Sequence, residues 1–168
     1  KVRSGDPDNM EAQGARRYWG LLFGEDFRRD QGAGGLNAML NYGYTVLRAA
    51  TARAVISAGL HPTLGLHHSN DSNPMRLVDD LMEPFRPVID LKVWQLQRNN
   101  ETQITPETKR ALVRTLYDDM QTDAGATPVL VCTKKLATSL AQVYLGEREK
   151  LDLPLPGLPL ALAAALND

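Results

Sequence analysis

The stretch "LGLHHSNDSNPMRLVDDLMEPFRP", from Leu64 to Pro87, holds two adjacent histidines, two adjacent aspartates and a glutamate. Carboxylate oxygens suit magnesium and manganese, and manganese also accepts imidazole. On a helix, residues three and four apart share a face. Glu83 stands four after Asp79 and three after Asp80, so it shares a surface with each. Two like charges about 5–6 Å apart repel by about 3 kcal/mol at an effective dielectric of about 20. Arg76, four before Asp80, and Arg86, three after Glu83, can offset that repulsion. A divalent cation would offset it better. His67 and His68 lie in the loop that leads into this helix and can fold back onto it. Spacing alone leaves two readings open: a metal site, or a solvated helix face beside surface histidines.

The elements that must position these groups read as helices. "DPDNMEAQGARRYWGLLFG" opens on an Asp/Asn capping cluster and continues with helix formers. Glu11, in its first turn, suits the helix dipole without further explanation. "FGEDFRRDQGAGG" is a loop. "LNAMLNYGYTVLRAATARAVISAGLHP" predicts the longest helix, with Leu36, Met39, Leu40, Val46, Leu47, Ala50, Ala54 and Val55 as its apolar stripe and Gly59 as its stop. Asn73 and Pro74 restart a helix that runs to about Gln97, and Pro84 should kink it just after Glu83. Thr105-Pro106 opens a helix expected to reach Met120, and Thr127-Pro128 opens another. "LDLPLPGLP" is a proline-rich connector before a short apolar terminal helix. No strand alternation stands out.

The 168 residues make one domain by the usual prior, with 43% hydrophobic and 23% charged residues. Cys132 is the single cysteine, so neither a disulfide nor a cysteine-bound zinc is expected, which fits a reducing cytoplasm. No apolar run is long enough to span a membrane. The formal net charge of -1 gives no overall attraction to phosphate, so DNA binding would need local basic patches.

"MEAQGARRYW", "LNYGYTVLRAATARAVISAGLHPTLGLHH" and "LVDDLMEPFRPVID", in this order, resemble the CRISPR-associated integrase of spacer acquisition, the family of CRISPR-associated protein one. The "GLHHSN…DDLMEPFRP" form is most similar to members from type II systems. The resemblance covers the whole chain and is strongest from Asn9 to Asp90. That family has an N-terminal strand-rich domain and a C-terminal all-helical domain carrying a metal site. The resemblance implies that residues 1–168 are the helical domain and that the strand-rich domain is absent. The expected fold is all-α, one domain of about six helices with the metal site between them. Residues 150–168 form the connector and terminal helix.

Carried over by motif, the resemblance places magnesium or manganese on Glu11, His68 and Glu83, with His67 as the alternative histidine. Asp80 matches a second acidic position that assists catalysis in some members. Asp79 matches no family role and reads as solvated. Gln13 and Gly14 depart from the commoner glycine-alanine pattern. The implied reaction is transesterification, in which a spacer DNA 3′-hydroxyl attacks a phosphodiester at a CRISPR repeat. Arg76, Arg86, Arg48 and Tyr44 are the expected DNA contacts; ion pairing and packing are the competing roles. The implied partners are double-stranded DNA (spacer precursor and CRISPR repeat), a second copy in the full-length family, and the small CRISPR-associated protein two. The alternative is a catalytically silent fragment that binds DNA or assembles, and a plain helical scaffold is a third reading.

Overall fold

A computed structural model describes residues 9–67 and 72–155, apart from the side chain of Glu11. Its axis is α2 (Leu36–Ser57), whose apolar stripe is wide enough to bury several sides at once. Met39, Leu40, Leu47, Ala54 and Val55 are buried along it, while Leu36 and Val46 are partly covered. The helix stops where Gly59 takes φ 76, and the Leu60 N–H reaches back to the Val55 carbonyl at 3.1 Å.

Around α2 pack α3 (Arg76–Met82), α4 (Arg86–Arg98), α5 (Pro106–Arg114) and α6 (Val129–Tyr144). α4 approaches α2 closely at Gly43, where a Cβ would stand 2.4 Å from Ile89 Cγ2. α1 (Met10–Phe23) joins the core only through its last turns, where Phe23 is buried and Trp19 packs partly against it. α5 starts as expected, with a Thr105–Thr108 capping box and Pro106 at the first helical position. Pro84 stands in a 3-10 turn, Glu83–Phe85, that separates α3 from α4. The regular α-helix is therefore interrupted where a proline cannot donate. α3 begins at Arg76, later than expected, because Asn73 Oδ1 accepts the Met75 N–H at 3.0 Å and holds a turn ahead of the helix.

The all-α expectation is wrong. α5 ends at Arg114, a 3-10 turn follows at Thr115–Tyr117, and β1 (Asp119–Thr122) pairs antiparallel with β2 (Gly125–Pro128). The described residues therefore form six α-helices and one two-stranded sheet, a mixed α/β fold. The strands have four residues each, too short for alternation to register. Their turn depends on Gly125 at φ 92 and on Thr122 Oγ1, which donates to the Gly125 carbonyl at 2.9 Å. Pro128 is the last residue of β2 as well as the residue before α6.

The start of the proline-rich connector docks on this hairpin and on α6. The Leu155 N–H donates to the Gln121 carbonyl at 3.0 Å, and the Asp152 N–H to Ser139 Oγ at 2.9 Å. The expected terminal helix lies outside the described residues. Among those residues no helix is long and apolar enough to cross a membrane.

Candidate functional site

The loop before α3 is tied to it by three side chains. Asp80 Oδ2 accepts the backbone N–H groups of Leu66 at 2.6 Å and His67 at 3.0 Å. Arg76 Nε donates to the Thr63 carbonyl at 2.8 Å. Asn73 Nδ2 donates to Asp79 Oδ2 at 2.7 Å. A carboxylate accepting two backbone donors is a charge-assisted clamp, so Asp80 fixes the approach of the histidine-bearing loop. His68 itself lies outside the described residues.

Asp79 is not the solvated bystander that the sequence suggested. Its side chain is 22% exposed and forms a forked ion pair with Arg48 of α2, Nε to Oδ1 at 2.6 Å and Nη2 to Oδ2 at 3.0 Å. That hydrogen bonding to Asp79 raises the guanidinium further above its ordinary range. Arg48, expected to contact DNA, is thus engaged in joining α2 to α3.

Glu83 is half-exposed, and its Oε1 takes a bond from Arg86 Nη1 at 2.7 Å. Arg86 also lies over the Tyr44 ring, 4.4 Å from its centroid, and Arg29 lies 5.7 Å from the same centroid. Tyr44 is buried rather than offered to a base. Its hydroxyl donates to Asp90 Oδ1, and Tyr18 of α1 donates to Asp90 Oδ2 at 2.7 Å. Asp90 is only 3% exposed. Burial raises its carboxyl above the usual aspartate range, while the bonds from Tyr44 and Tyr18 and the charges of Arg86 and Arg29 act the other way. Burial first, and Asp90 second, push both phenols well above their ordinary range, so both remain donors.

Among the described residues, no group of three or more His, Cys, Asp and Glu side chains is placed to hold a metal ion. Of the expected ligands, Glu83 is described, Glu11 is placed on α1 by its backbone alone, and His68 lies outside. Glu83 and Asp80 supply carboxylate oxygens, the donors a hard divalent cation takes.

The profile of the family described as "CRISPR associated protein Cas1" matches residues 8–111. The chain belongs to the Cas1 family. It is 40% identical over 163 residues to the CRISPR-associated endonuclease Cas1 of Neisseria meningitidis serogroup C (strain 8013), covering 95% of this chain and 53% of that protein. It is 31% identical over 138 residues to the CRISPR-associated endonuclease Cas1 2 of Pyrobaculum aerophilum, covering 79% of this chain and 46% of that one. A solved structure described as "Casposase bound to integration product" superposes with a TM-score of 0.73 at 28% identity, covering 88% of this chain and 50% of that one. The chain thus spans about half the length of these relatives.

Sequence reasoning missed Asp90 and Tyr18. One signal was present: in "RPVIDLKVW" an acid stands beside Val88, Ile89 and Val93 on a buried face. A charge there needs donors brought from other helices.

Proposed function

We propose that this Cas1-family chain is a divalent-metal-dependent DNA endonuclease and integrase domain of CRISPR adaptation. It would join spacer 3′-hydroxyl ends to CRISPR repeat DNA by transesterification. The observation that carries this reading is the family match over residues 8–111, a span that includes Glu11, His68, Asp80, Glu83 and Arg86. Glu11, His68 and Glu83 would hold magnesium or manganese, a donor set of carboxylates and imidazole that either ion accepts. When bound, the ion supplies stabilisation of phosphate charge and lowers the pKa of the attacking hydroxyl.

The chain's own residues do the remaining work. Asp80 holds the histidine loop by the Leu66 and His67 amides. Arg86 places a cation beside Glu83, where a DNA phosphate would enter, and Tyr44 supports that guanidinium from below rather than touching DNA. Arg76, the first residue of α3, and Arg48 of α2, its charge already paired with Asp79, are the further cations this reading would offer to DNA phosphates. Double-stranded DNA, a second copy of the chain and CRISPR-associated protein two are the partners this reading implies.

Manganese titration tests the ligand set. Wild type should bind Mn2+ well above the level of a Glu11→Ala, His68→Ala, Glu83→Ala triple variant. Equal binding by the two would end the metal reading. His68→Ala should weaken binding far more than His67→Ala. The second reading is a silent DNA-binding or assembly module. Metal binding without strand joining or cleavage of branched DNA would select it.

A further inference from the structure

Arg29 and Arg86 both lie against the Tyr44 ring, and Arg48 stands four residues further along α2. The three guanidiniums are held differently. Arg29 donates to Asn37 Oδ1 at 3.0 Å and to Asn41 Oδ1 at 2.6 Å, which ties its loop to α2. Arg48 joins α2 to α3 through its forked pair with Asp79. Arg86 pairs with Glu83, three residues before it, so this bond joins no two distant parts of the fold. The two side chains are 37% and 49% exposed, within reach of a ligand. An exposed pair of this kind is weak and can be exchanged.

The seat of Arg86 is firmer than its partner. Its guanidinium carbon lies 4.4 Å from the centroid of the Tyr44 ring. Tyr44 is buried, and its hydroxyl donates to Asp90, so the ring is fixed. A guanidinium stacks well on an aromatic face and stays charged. Arg86 can therefore change its partner and keep its seat. A carboxylate that takes a divalent cation cannot also keep a guanidinium at 2.7 Å without setting two positive charges against each other. A guanidinium released from a carboxylate suits a phosphate, which it meets with the same forked geometry.

We propose that Arg86 is a shared counter-ion: it neutralises Glu83 in the metal-free chain and turns to a DNA phosphate once a divalent cation takes that carboxylate, so that metal and DNA binding are coupled through one side chain. Coupling of this kind is reciprocal, each ligand strengthening the other by the same factor. The inference rests on the place of Glu83 in the ligand set proposed above, and its test separates the two.

Arg86→Gln removes the charge. Without DNA it should bind Mn2+ about threefold more tightly than wild type, the scale set by a weak exposed pair. Arg86→Lys keeps the charge and should bind Mn2+ as wild type does, which separates charge from lost packing on Tyr44. In a chelator, Glu83→Gln frees Arg86 and should bind a labelled DNA duplex with 3′-deoxy ends about threefold more tightly than wild type. That gain should vanish when Glu83→Gln is made in the Arg86→Gln background. Unchanged or weaker Mn2+ binding by Arg86→Gln overturns the exchange, since Arg86 would then not compete for Glu83. A gain in DNA affinity that persists without Arg86 overturns it as well, being only the loss of a negative charge. In either case the ligand set stands if wild type outbinds the triple variant. If wild type binds Mn2+ no better than the triple variant, the ligand set itself fails and the exchange falls with it.

Discussion

Asp80 Oδ2 accepts the backbone N–H of His67 at 3.0 Å, tying α3 to a loop residue thirteen positions earlier. The same oxygen takes the Leu66 N–H at 2.6 Å. Asp80→Ala leaves both amides without this acceptor. We expect faster exchange at Leu66 and His67 and a stability loss of about 1 kcal/mol, at the low end for bonds to a charged acceptor because water reaches this loop. Asp80→Asn keeps one acceptor oxygen and should fall between the two. Unchanged protection of both amides in Asp80→Ala would show that the loop is held by other contacts.

Asp79→Asn should not be silent. The forked pair with Arg48 spans 31 residues of sequence and is partly shielded, with Asn73 as a further donor to the same carboxylate. Exposed pairs contribute about 0.2–1 kcal/mol, and the forked geometry places this one toward the upper end. A urea-unfolding cycle of Asp79→Asn, Arg48→Ala and the double variant should give a coupling of about 1 kcal/mol that shrinks in high salt. Additive single effects would mean that the pair contributes nothing of its own.

These two aspartates also mark what could be read from the sequence. Local signals were legible. The Thr105-Pro106 start, the Gly59 stop and the Glu83–Arg86 pair each depend on residues within one turn. Asp79 and Asp80 are chemically identical neighbours, and what separates them is Arg48 on one side and the Leu66 amide on the other. No local pattern encodes those distances. The hairpin was illegible for a different reason: Thr115 to Thr127 carries helix formers at one end and a proline cap signal at the other. Tertiary packing resolved both into turn and strand. Asp90 was hidden because its donors, Tyr18 and Tyr44, come from two other helices.

Asp90 gives a pH prediction. Its carboxyl sits above the usual aspartate range, burial being the largest cause. A proton held more tightly in the folded chain adds stability that is fully present below the unfolded value, about 4, and is lost as pH rises through the folded value. Asp90→Asn removes this contribution. The unfolding free energy of wild type minus that of Asp90→Asn should therefore fall from about pH 4 toward neutrality. Urea melts at several pH values measure the difference directly, and a difference that rises with pH would contradict the assignment.

Gly43→Ala tests the contact that seats α4 on α2. The added Cβ would stand 2.4 Å from Ile89 Cγ2 and 3.4 Å from Leu112 Cδ2, so Ile89 must move. Ile89 is almost fully buried and has little room to do so. Interiors are close-packed, and one extra methyl in such a place costs about 1–3 kcal/mol even though alanine favours a helix over glycine. Ile89 also precedes Asp90, so displacing it should disturb the Tyr44 and Tyr18 hydrogen bonds on the next residue. We expect a lower melting temperature together with faster exchange in α1, whose tie to α4 runs through Asp90. A stabilised Gly43→Ala would show that α4 can slide on α2, and that the Asp90 cluster is not held rigidly by this contact.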